Sequence, residues 1–189
     1  MKFFLLLTIA ALLCAQTLAA TNGFSANLIN SPALSLVNGA QSLSTVGGWS
    51  TGGNGFNLGN FGANGGYTIP VAGIYHFDAN VLINVASATA PNQNVDIRIV
   101  NCAAGSGCNA YCAGGSVLGR TLTQGGSTWL GSGFNLAFPP NYNLKASYTG
   151  FFNVGDTIAV CIDNWAASGQ VKLNCASSPL CTFAGFQIN

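Results

Sequence analysis

The chain has 189 residues, with five Lys or Arg, four acidic residues, one histidine and a formal net charge of +1. So little charge leaves no basic patch to gather nucleic acid or anionic lipid, and a single histidine without any glutamate leaves almost no general acid–base machinery. Disorder is excluded too, because it needs much charge and few apolar residues, whereas 49% of this chain is hydrophobic and 5% charged.

"MKFFLLLTIAALLCAQTLAA", residues 1–20, has one early lysine, an apolar run from Phe3 to Leu13 and small residues at Ala19 and Ala20. That pattern reads as a secretory signal peptide, and its apolar run is too short to span a bilayer. Residues 21–189 then form one domain, secreted and extracellular, with no membrane insertion expected. In this part Arg98, Arg120, Lys145 and Lys172 face Asp78, Asp96, Asp156 and Asp163, so the net charge is near zero.

After residue 20 no sustained three-four apolar spacing occurs, and glycine interrupts almost every window. Short strands between Gly/Asn/Ser turns are expected instead, which argues for an all-β sandwich or jelly roll. The expected strands are Phe24–Ile29, Thr68–Ile69 with the run Ala72–Val85, Val95–Val100, Val117–Thr123, Asn135–Phe138, Asn143–Tyr148, Thr157–Asp163 and Thr182–Ile188. In the longest run Tyr75, Phe77, Ala79, Val81, Ile83 and Val85 share one face, and His76, Asp78, Asn80, Leu82 and Asn84 share the other. Val95, Ile97 and Ile99 likewise face away from Asp96 and Arg98, while Ile158, Val160 and Ile162 share a face. The glycine-dense stretch Gly47–Gly66 reads as an irregular connection capped by Trp49, Phe56 and Phe61, with a ligand surface as the less economical alternative.

Removing Cys14 leaves Cys102, Cys108, Cys112, Cys161, Cys175 and Cys181. An even number in a secreted chain points to disulfides, and the absence of a C-x-x-C pair argues against zinc. Two C-x5-C spacings suggest local staples, Cys102 with Cys108 and Cys175 with Cys181, leaving Cys112 for Cys161. No cofactor is expected. Calcium needs clustered oxygen ligands, but the aspartates are scattered; the best cluster, Asp163–Asn164, reads as a turn after a strand. His76 reads as an outward polar residue of a scaffold strand, with a pH-sensitive subunit contact as the second reading. Trp49, Tyr111, Trp129, Tyr142 and Trp165 are candidates for sugar stacking if exposed, and core or interface residues otherwise. No N-x-[ST] sequon with a permitted middle residue occurs.

Four pieces then line up in order: "GFSANL" at 23–28, "YTIPVAGIYHFDANV" at 67–81, "FNVGDTIAVCI" at 152–162 and "TFAGFQI" at 182–188. Together they resemble the globular head of complement C1q, in the C1q and tumour-necrosis-factor jelly-roll superfamily. The matching residues are Phe24, Ser25 and Ala26; Pro70, Gly73, Tyr75 and Phe77; Gly155 and Asp156; and Phe183, Gly185 and Phe186. The resemblance implies a jelly roll of about ten antiparallel strands, assembled as a homotrimer with apolar side chains along its threefold axis. Its implied role is non-enzymatic: a recognition or scaffolding domain that binds an extracellular glycan or protein. A self-assembling coat or adhesive matrix protein is the alternative. Phe183 and Phe186, three apart on one strand, would face opposite ways, one into the core and one toward a neighbouring subunit.

Overall fold

The computed structural model describes residues 22–28, 42–46, 48–52, 55–62, 65–85, 93–106, 111–125, 141–164, 171–173, 175 and 181–188. The expected signal peptide, the expected strand Asn135–Phe138, and Cys108, Trp129 and Trp165 lie outside the described residues. The elements, in chain order, are β1 Gly23–Leu28, β2 Ser42–Thr45, β3 Trp49–Ser50, β4 Phe56–Leu58, β5 Asn60–Phe61, β6 Gly66–Thr68, β7 Gly73–Val85, β8 Gln93–Cys102, a helical turn α1 Tyr111–Gly114, β9 Ser116–Gly125, β10 Asn141–Phe152, β11 Thr157–Asn164, β12 Val171–Leu173 and β13 Thr182–Ile188.

They build two antiparallel sheets. Sheet A runs β10, β7, β13, β1, β3, with β12 sharing β7's edge with β13 and β4 sharing β1's edge with β3. Sheet B runs β5, β6, β11, β8, β9, with β2 sharing β11's edge with β6. Among the described residues each sheet is five lanes wide, and these ten lanes hold thirteen strand segments because three of them are broken in two. This is the expected jelly-roll sandwich.

Residues 67–85 do not form one continuous unit. β6 belongs to sheet B and β7 to sheet A, so Ile69–Ala72 carries the chain from one sheet to the other. Pro70, which has no N–H to give to a ladder, sits in that crossover. It is pinned by paired backbone bonds, Ile69 N–H to Asp156 O at 2.8 Å and Gly155 N–H to Ile69 O at 2.9 Å. Gly155 has φ +87°, a left-handed angle that favours glycine. Asp156, almost fully buried, accepts from Ala104 N–H at 3.1 Å and from Asn153 N–H at 3.0 Å. The V-G-D turn thereby joins three loops at one end of the sandwich.

The core lies between the sheets, and the alternation along β7 holds: Tyr75, Phe77, Ala79, Val81 and Ile83 are buried. Phe24 is its centre, with ring centroids 4.6 Å from Phe61, 4.7 Å from Tyr67 and 4.8 Å from Phe183. Such ring pairs add to the area term, which alone stabilises by about 1.5–3 kcal/mol per buried large side chain. The glycine-dense stretch is not irregular: β3 to β6 run through it, with Trp49 and Phe61 packed on the core but Phe56 exposed. β10 extends through Phe152, four residues past the expected end, because Phe152 fills the core beside Phe77. β11 runs through Asn164, so Asp163–Asn164 is strand, paired with Asp96 and Val95, not a turn.

The centre of sheet B's outer face is covered, which alternation alone did not predict. Asp96 and Arg98 lie on it, yet Asp96 is fully buried and bonded to Arg98 Nε at 2.7 Å. Val100, Ala159 and Cys161 form a small second core there with Cys112, and α1 packs on β2, β8 and β11. The Cys112–Cys161 disulfide fastens this segment to the sheet, and Cys175–Cys181 closes a short loop against the main core. Cys102 is disulfide-bonded as well; its expected partner Cys108 lies outside the described residues.

Candidate functional site

With the centre of sheet B's outer face covered by the segment that carries α1, the outer face of sheet A is the surface where exposed side chains of one character converge. Cross-strand register fixes the rows, because directly opposed residues project from the same face. The end row is Phe151, Ile74, Ile188. Next come Thr149, His76, Phe186, Gly23 and Leu58, then Ser147, Asp78, Ala184, Ser25 and Phe56. The row after that is wholly polar: Lys145, Asn80, Thr182, Asn27 and Ser50. Phe56, Leu58, Ile74, Phe151, Phe186 and Ile188 are all between 41% and 67% exposed. Scattered exposed apolar residues are ordinary, but a contiguous group on one face marks an interaction surface.

In the middle of this group sits the only histidine of the chain. His76 Nδ1 lies 2.6 Å from Thr149 Oγ1, and Nε2 lies 2.6 Å from Asp78 Oδ2. The imidazole also packs against Phe186, centroid to centroid 5.4 Å. The Asp78 side chain is 60% exposed and the His76 side chain 27%.

The motif residues divide cleanly. Phe24, Tyr75, Phe77 and Phe183 are buried, Gly155 and Asp156 form the loop-joining turn, and Gly185 lies in the core between Phe24 and Phe77. Phe186 points the other way, onto the outer face, since β13 pairs without a bulge across its whole length. Trp49 is buried, so it offers no ring to a sugar. Tyr111 and Tyr142 lie on α1 and β10.

One pattern escaped the sequence reading. Gly48-Trp49-Ser50-Thr51-Gly52 has the G-x-S-x-G form of a nucleophile elbow. An elbow needs a strand-to-helix turn that exposes its serine beside a histidine. Here Ser50 lies on β3, its Oγ accepts from Gly52 N–H at 3.1 Å, and β3 is three lanes from His76, about 14 Å at ordinary strand spacing. Among the described residues no three His, Cys, Asp or Glu side chains group as metal ligands, and no helix is long and apolar enough to cross a membrane.

No family model matches the sequence, and no curated protein matches it. Solved structures do. The Eiger TNF of S. frugiperda aligns with a TM-score of 0.57 at 11% identity, over 89% of this chain and 92% of that one. Murine APRIL aligns with a TM-score of 0.55 at 14% identity, over 88% of this chain and 98% of that one. At such identities the likeness is one of fold, and it runs through both sheets. The fold is therefore a jelly roll like that of these two structures.

Proposed function

We propose that this protein is a secreted, non-enzymatic recognition or scaffolding domain that assembles as a homotrimer through the outer face of sheet A and binds an extracellular glycan or protein. The observation that carries the reading is the apolar group Phe56, Leu58, Ile74, Phe151, Phe186 and Ile188 on that one face. A second copy is its best-fitting occupant, because trimers of this jelly-roll type set apolar side chains along their axis. Burying such side chains stabilises association by about 25 cal/mol per Å² before the entropic cost of assembly. No catalytic role is assigned: His76 is engaged by Thr149 and Asp78, and Ser50 is remote from it.

The test is a charge placed in the patch. Ile74→Asp and Phe186→Asp each project into solvent, so the sandwich should still fold. Sedimentation should report monomers for both where the unmodified protein forms trimers. Trimers that survive both substitutions would place self-association elsewhere. A matrix-forming role is favoured by one further observation: Val71, Val154 and Val117 are exposed outside these rows. In that case light scattering should show mass growing beyond the trimer with concentration.

A further inference from the structure

The geometry points to a pH-dependent contact: protonation of His76 beside Asp78 strengthens self-association through the outer face of sheet A, and deprotonation weakens it. This rests on the self-association reading above and adds its regulation.

The first argument concerns hydrogen bonds. A carboxylate only accepts, whereas a threonine hydroxyl both donates and accepts. His76 Nε2 therefore carries the proton that bonds Asp78 in either charge state. Thr149 then reverses: it donates to Nδ1 of the neutral ring and accepts from Nδ1–H of the imidazolium. The same 2.6 Å contacts serve both forms, so protonation changes the charge of the face without rebuilding it.

The second argument concerns what a partner does to that charge. In a lone protomer the Asp78 carboxylate is mostly in water, where high dielectric weakens every interaction. A second copy seated on Phe186, which stands on a diagonal from Asp78, and on Ile74 in the row beyond His76 removes that water. With a neutral ring each copy then brings an uncompensated carboxylate to the contact, and like charges converge where dielectric is low. With an imidazolium the His76–Asp78 pair is neutral overall, and the carboxylate keeps a charge-assisted partner.

The neighbouring strands do little to offset this. From β10 the face carries Thr149, Ser147 and the exposed Lys145, which stands opposite Asn80 and so on a diagonal from Asp78. Lys145 is on the outermost lane, at the rim of the sheet, where its ammonium can stay hydrated. At this face β13, β1 and β4 contribute Phe186, Ala184, Ile188, Ser25, Asn27, Phe56 and Leu58, with no charge among them. Lys172 of β12 stands opposite Asn84, at the far end of β7.

The experiment measures the association constant of the secreted, disulfide-bonded protein by sedimentation equilibrium from about pH 5.5 to about pH 8, the range in which histidine changes charge. Ionic strength is held fixed. Subunit exchange between donor- and acceptor-labelled copies is timed at each pH, so that an assembly too tight to dissociate is still scored. The association constant should fall at least about tenfold across the range, since each linked proton contributes up to about tenfold per pH unit; exchange should quicken in parallel. His76→Gln, neutral at every pH, should lose this slope and stay at the weak, high-pH level. Asp78→Asn should stay tight at high pH and reverse the slope, because the imidazolium formed at low pH would then lack its carboxylate. A trimer whose affinity and exchange ignore pH, or a slope that survives His76→Gln, overturns the inference while leaving self-association intact. A monomer at every pH, unaffected by Ile74→Asp, overturns both.

Discussion

Gly185 sets how closely β13 can lie on the aromatic core. It stands in register with Phe24 on one side and Phe77 on the other, and a methyl group there would press into the Phe77 ring and come within 2.9 Å of Phe24 Cε1. Gly185→Ala is expected to cost about 1–3 kcal/mol through overpacking, read as a lower midpoint in urea. Tyr67 predicts the opposite sign. Its hydroxyl is buried with no hydrogen-bond partner among the described residues, and burial, with Tyr75 adding to it, pushes its phenol well above the ordinary tyrosine range. Burial likewise raises Tyr75, whose hydroxyl donates to Val71 O at 2.8 Å. A phenol raised in the folded state contributes stability that is complete below its unfolded value and lost as pH climbs past it, so stability should decline above about pH 10. Tyr67→Phe should raise stability at neutral pH by roughly 1 kcal/mol and flatten that alkaline decline. Denaturant titrations at neutral and alkaline pH measure both effects.

Strands with strict alternation were legible in the sequence, and features fixed by contacts between distant segments were not. β7, β11 and β13 appear almost as read, because period-two patterning and the Gly/Asn turns around them depend only on neighbours in the chain. That Phe183 and Phe186 of β13 face opposite ways follows from that same alternation. Two features were hidden. The crossover at Ile69–Ala72 splits one apparent unit between two sheets, and only its bonds to the distant V-G-D turn reveal it. The burial of Asp96 depends on the insertion folding over sheet B, which local pattern does not encode. The apolar face was half visible: His76 and Asp78 could be placed outward and Phe183 and Phe186 on opposite faces, but that Phe186 is the outward one, joined by Ile74, Phe151, Ile188 and Leu58, shows only once the register is known. Two predictions belong at this scale. Asp156→Ala removes the acceptor for two backbone N–H groups and should cost about 1–3 kcal/mol, seen in a thermal melt. The Cys112–Cys161 disulfide closes a separation of 49 residues and Cys175–Cys181 one of 6. On loop entropy, their double-alanine variants should lose roughly 4 and roughly 2 kcal/mol respectively, with guanidinium midpoints falling in that order.

For the whole molecule, the two sheets are treated differently. Sheet B buries the centre of its outer face under a disulfide-fastened segment, and sheet A leaves its outer face open, apolar near the first residues of β1 and the last of β13 and polar beyond. A chain with so few charges has little electrostatic means of choosing a partner, which leaves shape and apolar area. The central claim is that this face joins copies of the chain. Light scattering on the disulfide-bonded protein, without reductant and over a hundredfold concentration range, tests it most directly. A sharp mass of three protomers, independent of concentration, is the predicted result. A single-protomer mass at every concentration would contradict it.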